Sequence, residues 1–208
     1  MIKICGLTRR EDAEAAVRHG ATAVGFVFWP GSARRVAPDV AAAIVRVLPP
    51  DVVKVGVFVD ESPDVMRQVA IEVGLSAIQL HGEEPASCAA ELGCQVIKAM
   101  SAEQAITTSW PPDALILLDA VDPVARGGTG TRIDWTAARA VARRRRVVLA
   151  GGLTPENVGE AVATVRPFGV DVSSGVERTP GVKDDDKIRR FIAEARAAFV
   201  RLEDMEAE

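Results

Sequence analysis

Val147-Val148-Leu149-Ala150-Gly151-Gly152-Leu153-Thr154-Pro155-Glu156 sets a short apolar run, a glycine pair and a helix start in immediate succession. After an amphipathic stretch reaching Val165, Gly169-Val170-Asp171-Val172-Ser173-Ser174-Gly175 repeats the pattern of an apolar run followed by a turn of small residues. Strand, helix and second strand in that order form a βα crossover unit, whose strands run parallel. Outward from this pair the unit recurs along the whole chain. Strand-like runs stand at Ile2–Ile4, Ala23–Phe28, Val53–Phe58, Ala77–Leu80, Gln95–Lys98 and Leu115–Leu118 as well as at Val147–Leu149 and Gly169–Val172, and their centres are 19 to 32 residues apart. Helix-patterned stretches separate them, among them Arg10–Arg18, Pro38–Val47, Pro63–Val73, Pro85–Glu91, Trp135–Arg143 and Pro155–Val165, with a closing helix at about Lys187–Val200. Each step accommodates one βα unit and little more. Eight units with no break in composition predict an α/β protein with a single-domain (β/α)8 barrel over residues 1–202, ahead of an open doubly wound sheet.

The chain has 208 residues, enough for one complete domain and too few for two ordinary ones. Its net charge of −4 is carried entirely by Glu203, Asp204, Glu206 and Glu208, so residues 203–208 read as an acidic C-terminal tail on a neutral body. A neutral body offers no general field for nucleic acid, and any anionic ligand must be held by a local device. Arg143-Arg144-Arg145-Arg146 reads as the solvated end of a helix, where cations suit the C-terminal dipole. No apolar run approaches the length of a membrane span. Cys5, Cys88 and Cys94 form an odd set without C-x-x-C spacing, and with His19 and His81 they assemble no zinc cluster. No basic, apolar leader opens the chain. A reduced, cytoplasmic protein without a metal is expected.

In a (β/α)8 barrel the site lies where the strands end. The residues there include Cys5, Asp60, Gln79, His81, Lys98, Asp119, Gly151, Gly152, Asp171, Ser173, Ser174 and Gly175. Gly151-Gly152 and Ser173-Ser174-Gly175 end the seventh and eighth strands, where exposed N–H groups can approach a phosphate closely. Alternation places Ile2 and Ile4 on one face of the first strand and Lys3 and Cys5 on the other, toward the interior. There Lys3 is expected to pair with Asp171 and to lower the Cys5 thiol pKa, making the sulfur a base or nucleophile rather than a small core hydrophobe. Asp119 brings a carboxylate to the mouth across from Cys5, where burial favours its acid form; a turn-initiating Asp is the plainer reading. His81 either lines the site or is a polar loop residue. Gly127-Gly128-Thr129-Gly130 lacks the spacing of a dinucleotide motif, and residues 119–132 read equally as a lid or as a solvent loop.

These residues resemble those of the phosphoribosylanthranilate isomerase family of tryptophan biosynthesis over nearly the whole chain. The likeness rests on Lys3-Ile4-Cys5-Gly6-Leu7-Thr8, Gly25-Phe26-Val27-Phe28, Val55-Gly56-Val57-Phe58-Val59, Gln79-Leu80-His81-Gly82, Leu117-Leu118-Asp119, Gly127-Gly128-Thr129-Gly130, Ala150-Gly151-Gly152-Leu153 and Asp171-Val172-Ser173-Ser174-Gly175-Val176-Glu177. What the resemblance implies is a cofactor-free Amadori rearrangement of N-(5-phosphoribosyl)anthranilate, with Cys5 as general base and Asp119 as general acid. It further implies that Arg34, which Arg35 follows directly, binds the anthranilate carboxylate. Lys3, Gln79, His81 and Asp171 are the remaining expected substrate contacts. The expected partner is a small phosphorylated substrate, on a monomer or homodimer. A histidine-pathway isomerase would use paired aspartates, which Cys5 argues against, and a non-catalytic phosphate-binding barrel would have no reason to keep Cys5 and Asp119.

Overall fold

The computed structural model of the chain describes residues 1–119 and 133–207. Gly127–Gly130, all but the first residue of the 119–132 segment read equally as a lid or a solvent loop, and Glu208 lie outside the described residues. Eight parallel strands, β1 (Ile2–Ile4), β2 (Ala23–Val27), β3 (Val53–Phe58), β4 (Ala77–Leu80), β5 (Gln95–Met100), β6 (Leu115–Leu118), β7 (Val147–Leu149) and β8 (Gly169–Val172), close into a barrel in sequence order. Closure is made by β1 on β8, with Lys3 opposite Asp171.

The period of two sorts the side chains into two cores. Val55, Ala77, Ile97, Ala99, Leu115, Leu117, Val148 and Ala150 fill the interior, whereas Ile2, Ile4, Val24, Phe26, Ile78 and Ile116 belong to the larger cluster packed against the helices. Lys3 is therefore turned inward and is fully buried. Room for it comes from Gly25 on β2, where an added Cβ would sit 2.7 Å from Cys5 Sγ and 3.1 Å from Lys3 Cε.

Among the described residues eight helices follow the strands: α1 (Arg10–His19), α2 (Pro38–Val45), α3 (Pro63–Val73), α4 (Ser87–Leu92), α5 (Ala102–Thr107), α6 (Trp135–Ala142), α7 (Val158–Val165) and α8 (Asp185–Ala207). Local signals fix several ends. Pro63 follows the Ser62 cap of α3, and Gly20 and Gly74 end α1 and α3 in the left-handed conformation. Three differences from the sequence reading have physical reasons. Helix α7 begins at Val158 rather than Pro155, because Thr154–Asn157 are spent on a turn after β7. Helix α8 runs through Ala207, so no helix end marks a boundary at residue 202. Between β8 and α8 a 3₁₀ turn (Ser174–Val176) leads into an antiparallel hairpin, β9 (Glu177–Thr179) and β10 (Val182–Lys183), that carries no alternating apolar pattern. No helix among the described residues is long and apolar enough to cross a membrane.

Candidate active site

Lys3 is the hub of the interior polar cluster. Its ammonium donates to Gln79 Oε1 at 2.8 Å and lies 3.1 Å from Asp171 Oδ1. Burial alone would lower the Lys3 pKa, but Asp171 and Cys5 outweigh it and the ammonium is held above its ordinary range. Asp171 is pushed up as well, first by burial and against the pull of Lys3. With the Gln79, Asp171 and Cys5 acceptors gathered around one ammonium, the proton stays on Lys3.

Cys5 is buried beside Lys3, its backbone N–H donating to Val172 O at 2.8 Å. Here the expected direction of the thiol pKa is overturned. Lys3 and Lys183 both pull it down, yet burial is the larger effect and Asp171 adds to it, so the thiol is raised. A thiolate in a dry interior loses its hydration, and two nearby ammonium groups do not replace it.

Gln79 relays this cluster to the other side of the mouth. Its Nε2 lies 2.9 Å from His81 Nδ1, and since an amide nitrogen donates, Nδ1 accepts and the ring proton sits on Nε2. His81 Nε2 then faces Asp119 Oδ2 at 3.5 Å. Asp119 immediately follows β6, with its N–H on Met100 O at 3.2 Å. Cys5 and Asp119 thus stand on opposite sides of one mouth, joined through Lys3, Gln79 and His81.

Between them lies a concavity lined by Asp119, Gly151, Gly152, Asp171, Ser173, Ser174 and Gly175. Gly151 and Gly152 both adopt positive φ, 75° and 65°. Glycine adopts such φ values without the steric cost a Cβ would impose, and the bare backbone of the turn can approach a ligand closely. Asn157 fixes the turn: its Nδ2 donates to Gly152 O at 2.9 Å and its Oδ1 accepts from Thr154 N–H at 2.8 Å. At Gly175 an added Cβ would overlap the Leu153 carbonyl oxygen, so the two loops meet backbone to backbone. The Ser173 hydroxyl is buried here without a hydrogen-bond partner among the described residues.

Arg34 comes to the rim from the loop after β2. It grips Glu177 with Nε at 2.9 Å and Nη2 at 2.8 Å, while Arg35 is exposed. Glu177 also accepts from the buried Lys183 ammonium at 2.8 Å. Burial pushes the Glu177 carboxyl up, but Arg34 and Lys183 hold it below its ordinary range. Lys98, by contrast, faces away from the mouth, paired with the buried Glu84 at 2.8 Å, and Glu84 in turn caps the N–H of Asp60 at 2.8 Å.

The family model described as N-(5'phosphoribosyl)anthranilate (PRA) isomerase matches residues 2–194. The chain belongs to this isomerase family. A PRA isomerase relative from Geobacter sp. (strain M21) is 48% identical over 198 residues, covering 94% of this chain and 97% of that one. A solved phosphoribosyl anthranilate isomerase, in complex with reduced 1-(o-carboxyphenylamino)-1-deoxyribulose 5-phosphate, superimposes with a TM-score of 0.83 at 44% identity, covering 94% and 98% of the two chains. A Thermotoga maritima phosphoribosylanthranilate isomerase, described as dimeric and solved as generated monomers, gives a TM-score of 0.82 at 45% identity with the same coverage.

In this PRA isomerase family member two functional candidates, Asn157 and Lys183, escape a sequence reading, and a third, Glu177, enters it only as the last residue of the Asp171–Glu177 motif, without a role. Asn157 looks like an ordinary helix cap, and Glu177 and Lys183 sit in a hairpin with no periodic signal. The available clue was charge: Lys183 and Glu177 are ionisable residues flanking Pro180-Gly181, a turn short enough to fold one against the other.

Proposed function

We propose that this chain performs the Amadori rearrangement of N-(5-phosphoribosyl)anthranilate to 1-(2-carboxyphenylamino)-1-deoxyribulose 5-phosphate in tryptophan biosynthesis, with Cys5 as general base and Asp119 as general acid. The observation that carries the reading is a carboxylate, Asp119, sharing one concavity with the Gly151–Gly152 and Ser173–Gly175 turns and connected through His81, Gln79 and Lys3 to the buried Cys5 thiol. The product that the solved relative holds in reduced form has a phosphate at one end and a carboxylate at the other. This chain has a device for each, the Gly151–Gly152 and Ser173–Gly175 turns for the phosphate and Arg34 for the carboxylate.

Asp119 donates a proton to the furanose ring oxygen; the bond from that oxygen to C1′ breaks and an iminium forms. Cys5 thiolate then removes the proton on C2′, giving an enolamine that tautomerises to the ketone. The raised thiol pKa limits how much thiolate is present, but it also makes the anion a stronger base once formed, and Lys3 stabilises it in place. Gln79 and His81 orient the acid through the hydrogen bond and close contact described above. Phosphate binding, remote from the reacting carbons, holds C2′ and the ring oxygen against these groups. The step neither gains nor loses electrons overall, and no cofactor or metal enters it.

A soluble cytoplasmic enzyme, as a monomer or homodimer and without a nucleic-acid partner, completes the reading; light scattering separates the two assembly states. The deciding experiment follows depletion of phosphoribosylanthranilate by the purified chain. Saturable turnover is expected, and absence of turnover with intact phosphate binding would leave only an anion-binding barrel.

A further inference from the structure

The hairpin of β9 and β10 stands between the phosphate cradle and the Arg34 loop, and it is wired to both. Glu177 engages Arg34 with two parallel hydrogen bonds, a fork-to-fork geometry that fixes the plane of a guanidinium as well as its position. Lys183 holds Glu177 from behind at 2.8 Å, and the Gly181 N–H reaches the same carboxylate oxygen at 3.3 Å. The Lys183 ammonium also donates to Ser173 O at 3.1 Å, inside the cradle, while its backbone N–H is bound to the buried Asp12 carboxylate at 3.0 Å.

Within the trio of Arg34, Glu177 and Lys183 two cations face one carboxylate. Nε and Nη2 of Arg34 are both turned to Glu177, and among the described residues Nη1 has no acceptor. A second carboxylate arriving at that edge would complete the charge pairing. The hold of Arg34 and Lys183 on the Glu177 proton keeps this carboxylate ionised, and so able to do its part.

We propose that Glu177, backed by Lys183, is a positioning residue for Arg34, turning the free edge of the guanidinium toward the substrate carboxylate at a set distance from the phosphate cradle. The proposal rests on the reading of Arg34 as the carboxylate-binding group. Because Lys183 touches both Glu177 and the Ser173 carbonyl, the two ends of the substrate are measured against one rigid element rather than by two independent loops.

The test compares Glu177→Gln in the native chain and in an Arg34→Ala background, by steady-state kinetics with phosphoribosylanthranilate, beside calorimetric titration with inorganic phosphate. In the native chain kcat/KM falls about tenfold, mainly through KM, and phosphate affinity stays within about twofold. In the Arg34→Ala background the same substitution adds less than about twofold, as expected of a residue acting through Arg34. Equal losses in both backgrounds, or no loss in the native chain, overturn the positioning role alone. An Arg34→Ala variant with near-normal kcat/KM overturns the Arg34 reading and this proposal with it. If Glu177→Gln does not fold, Glu177→Asp takes its place, keeping the charge but withdrawing it; KM rises several-fold in the native chain and stays constant in the Arg34→Ala background, and any other pattern counts against the proposal.

Discussion

The proposed acid–base centre and the proposed anion cradle occupy one mouth but are built of different material. The first consists of side chains projecting from strands: Lys3 and Cys5 next to β8, Gln79 on β4, Asp119 at the end of β6. The second is backbone, held open by two positive-φ glycines and by Asn157. A side-chain site is tuned by burial and neighbouring charge, and changes there alter reactivity. A backbone site is tuned by conformation, and changes there alter whether the ligand is held at all.

That contrast breaks most sharply at the reacting groups. Cys5→Ala and Asp119→Asn should each lower kcat at saturating substrate by at least about 10²-fold, with the far-ultraviolet circular dichroism of the barrel retained. Cys5→Ser discriminates further, since a hydroxyl of nearly the same size does not ionise near neutral pH and should be as inactive as Ala. Near-normal turnover in any of these variants would remove the base and acid assignments.

Next in size is the cradle. A β-branched residue at Gly152 must adopt a φ near 65°, at a cost of roughly 1–3 kcal/mol. Gly152→Val should therefore lose most of its affinity for inorganic phosphate in a calorimetric titration, while the Cys5 thiol keeps its titration behaviour. If phosphate affinity is unchanged, the anion is bound elsewhere.

About tenfold is expected from Lys3→Met. The sign follows from the thiol: its pKa is raised, a base works only as the thiolate, and so the thiolate fraction and kcat/KM both climb from neutral to alkaline pH until the thiol titrates. Removing the cation that stabilises the thiolate raises the pKa further. The lower thiolate fraction reduces kcat/KM at neutral pH and moves the limb to higher pH, so the deficit should shrink in alkaline buffer. A deficit independent of pH would mean that Lys3 acts on binding alone.

The smallest effects belong to groups at the margins. Ser174→Ala removes at most one hydroxyl contact, about 0.5–1.5 kcal/mol of phosphate affinity, and Arg35→Ala, on an exposed side chain, should stay within about 0.5 kcal/mol in kcat/KM. A larger loss at Arg35 than at Arg34 would reverse the choice between the two arginines.

How much of this was readable in advance follows from which forces leave a periodic trace. Burial on a strand does: Lys3 between Ile2 and Ile4 could be assigned to the interior from alternation, and the strand ends then gathered Cys5, Gln79, Asp119 and Asp171. Depth of burial leaves no such trace, and that is why the thiol pKa direction came out opposite to the one expected from Lys3 alone. Short elements are equally quiet. The six residues of α5 make too few turns for apolar spacing to show, although the Ser101 and Gln104 capping box does mark its start. Glu177 pairs with Arg34 across 143 residues and with Lys183 across six, and neither separation is periodic.

The hairpin also has a consequence in time. A chain emerging from the ribosome exposes Lys3 and Arg34 long before Asp171, Glu177 and Lys183 exist, and β1 has no partner on its closing edge until β8 is made. Until then the two cations lack these carboxylates. Pairing of these cations and sealing of the barrel are contacts of long sequence separation, made only once β8 and the hairpin have joined the strands that precede them.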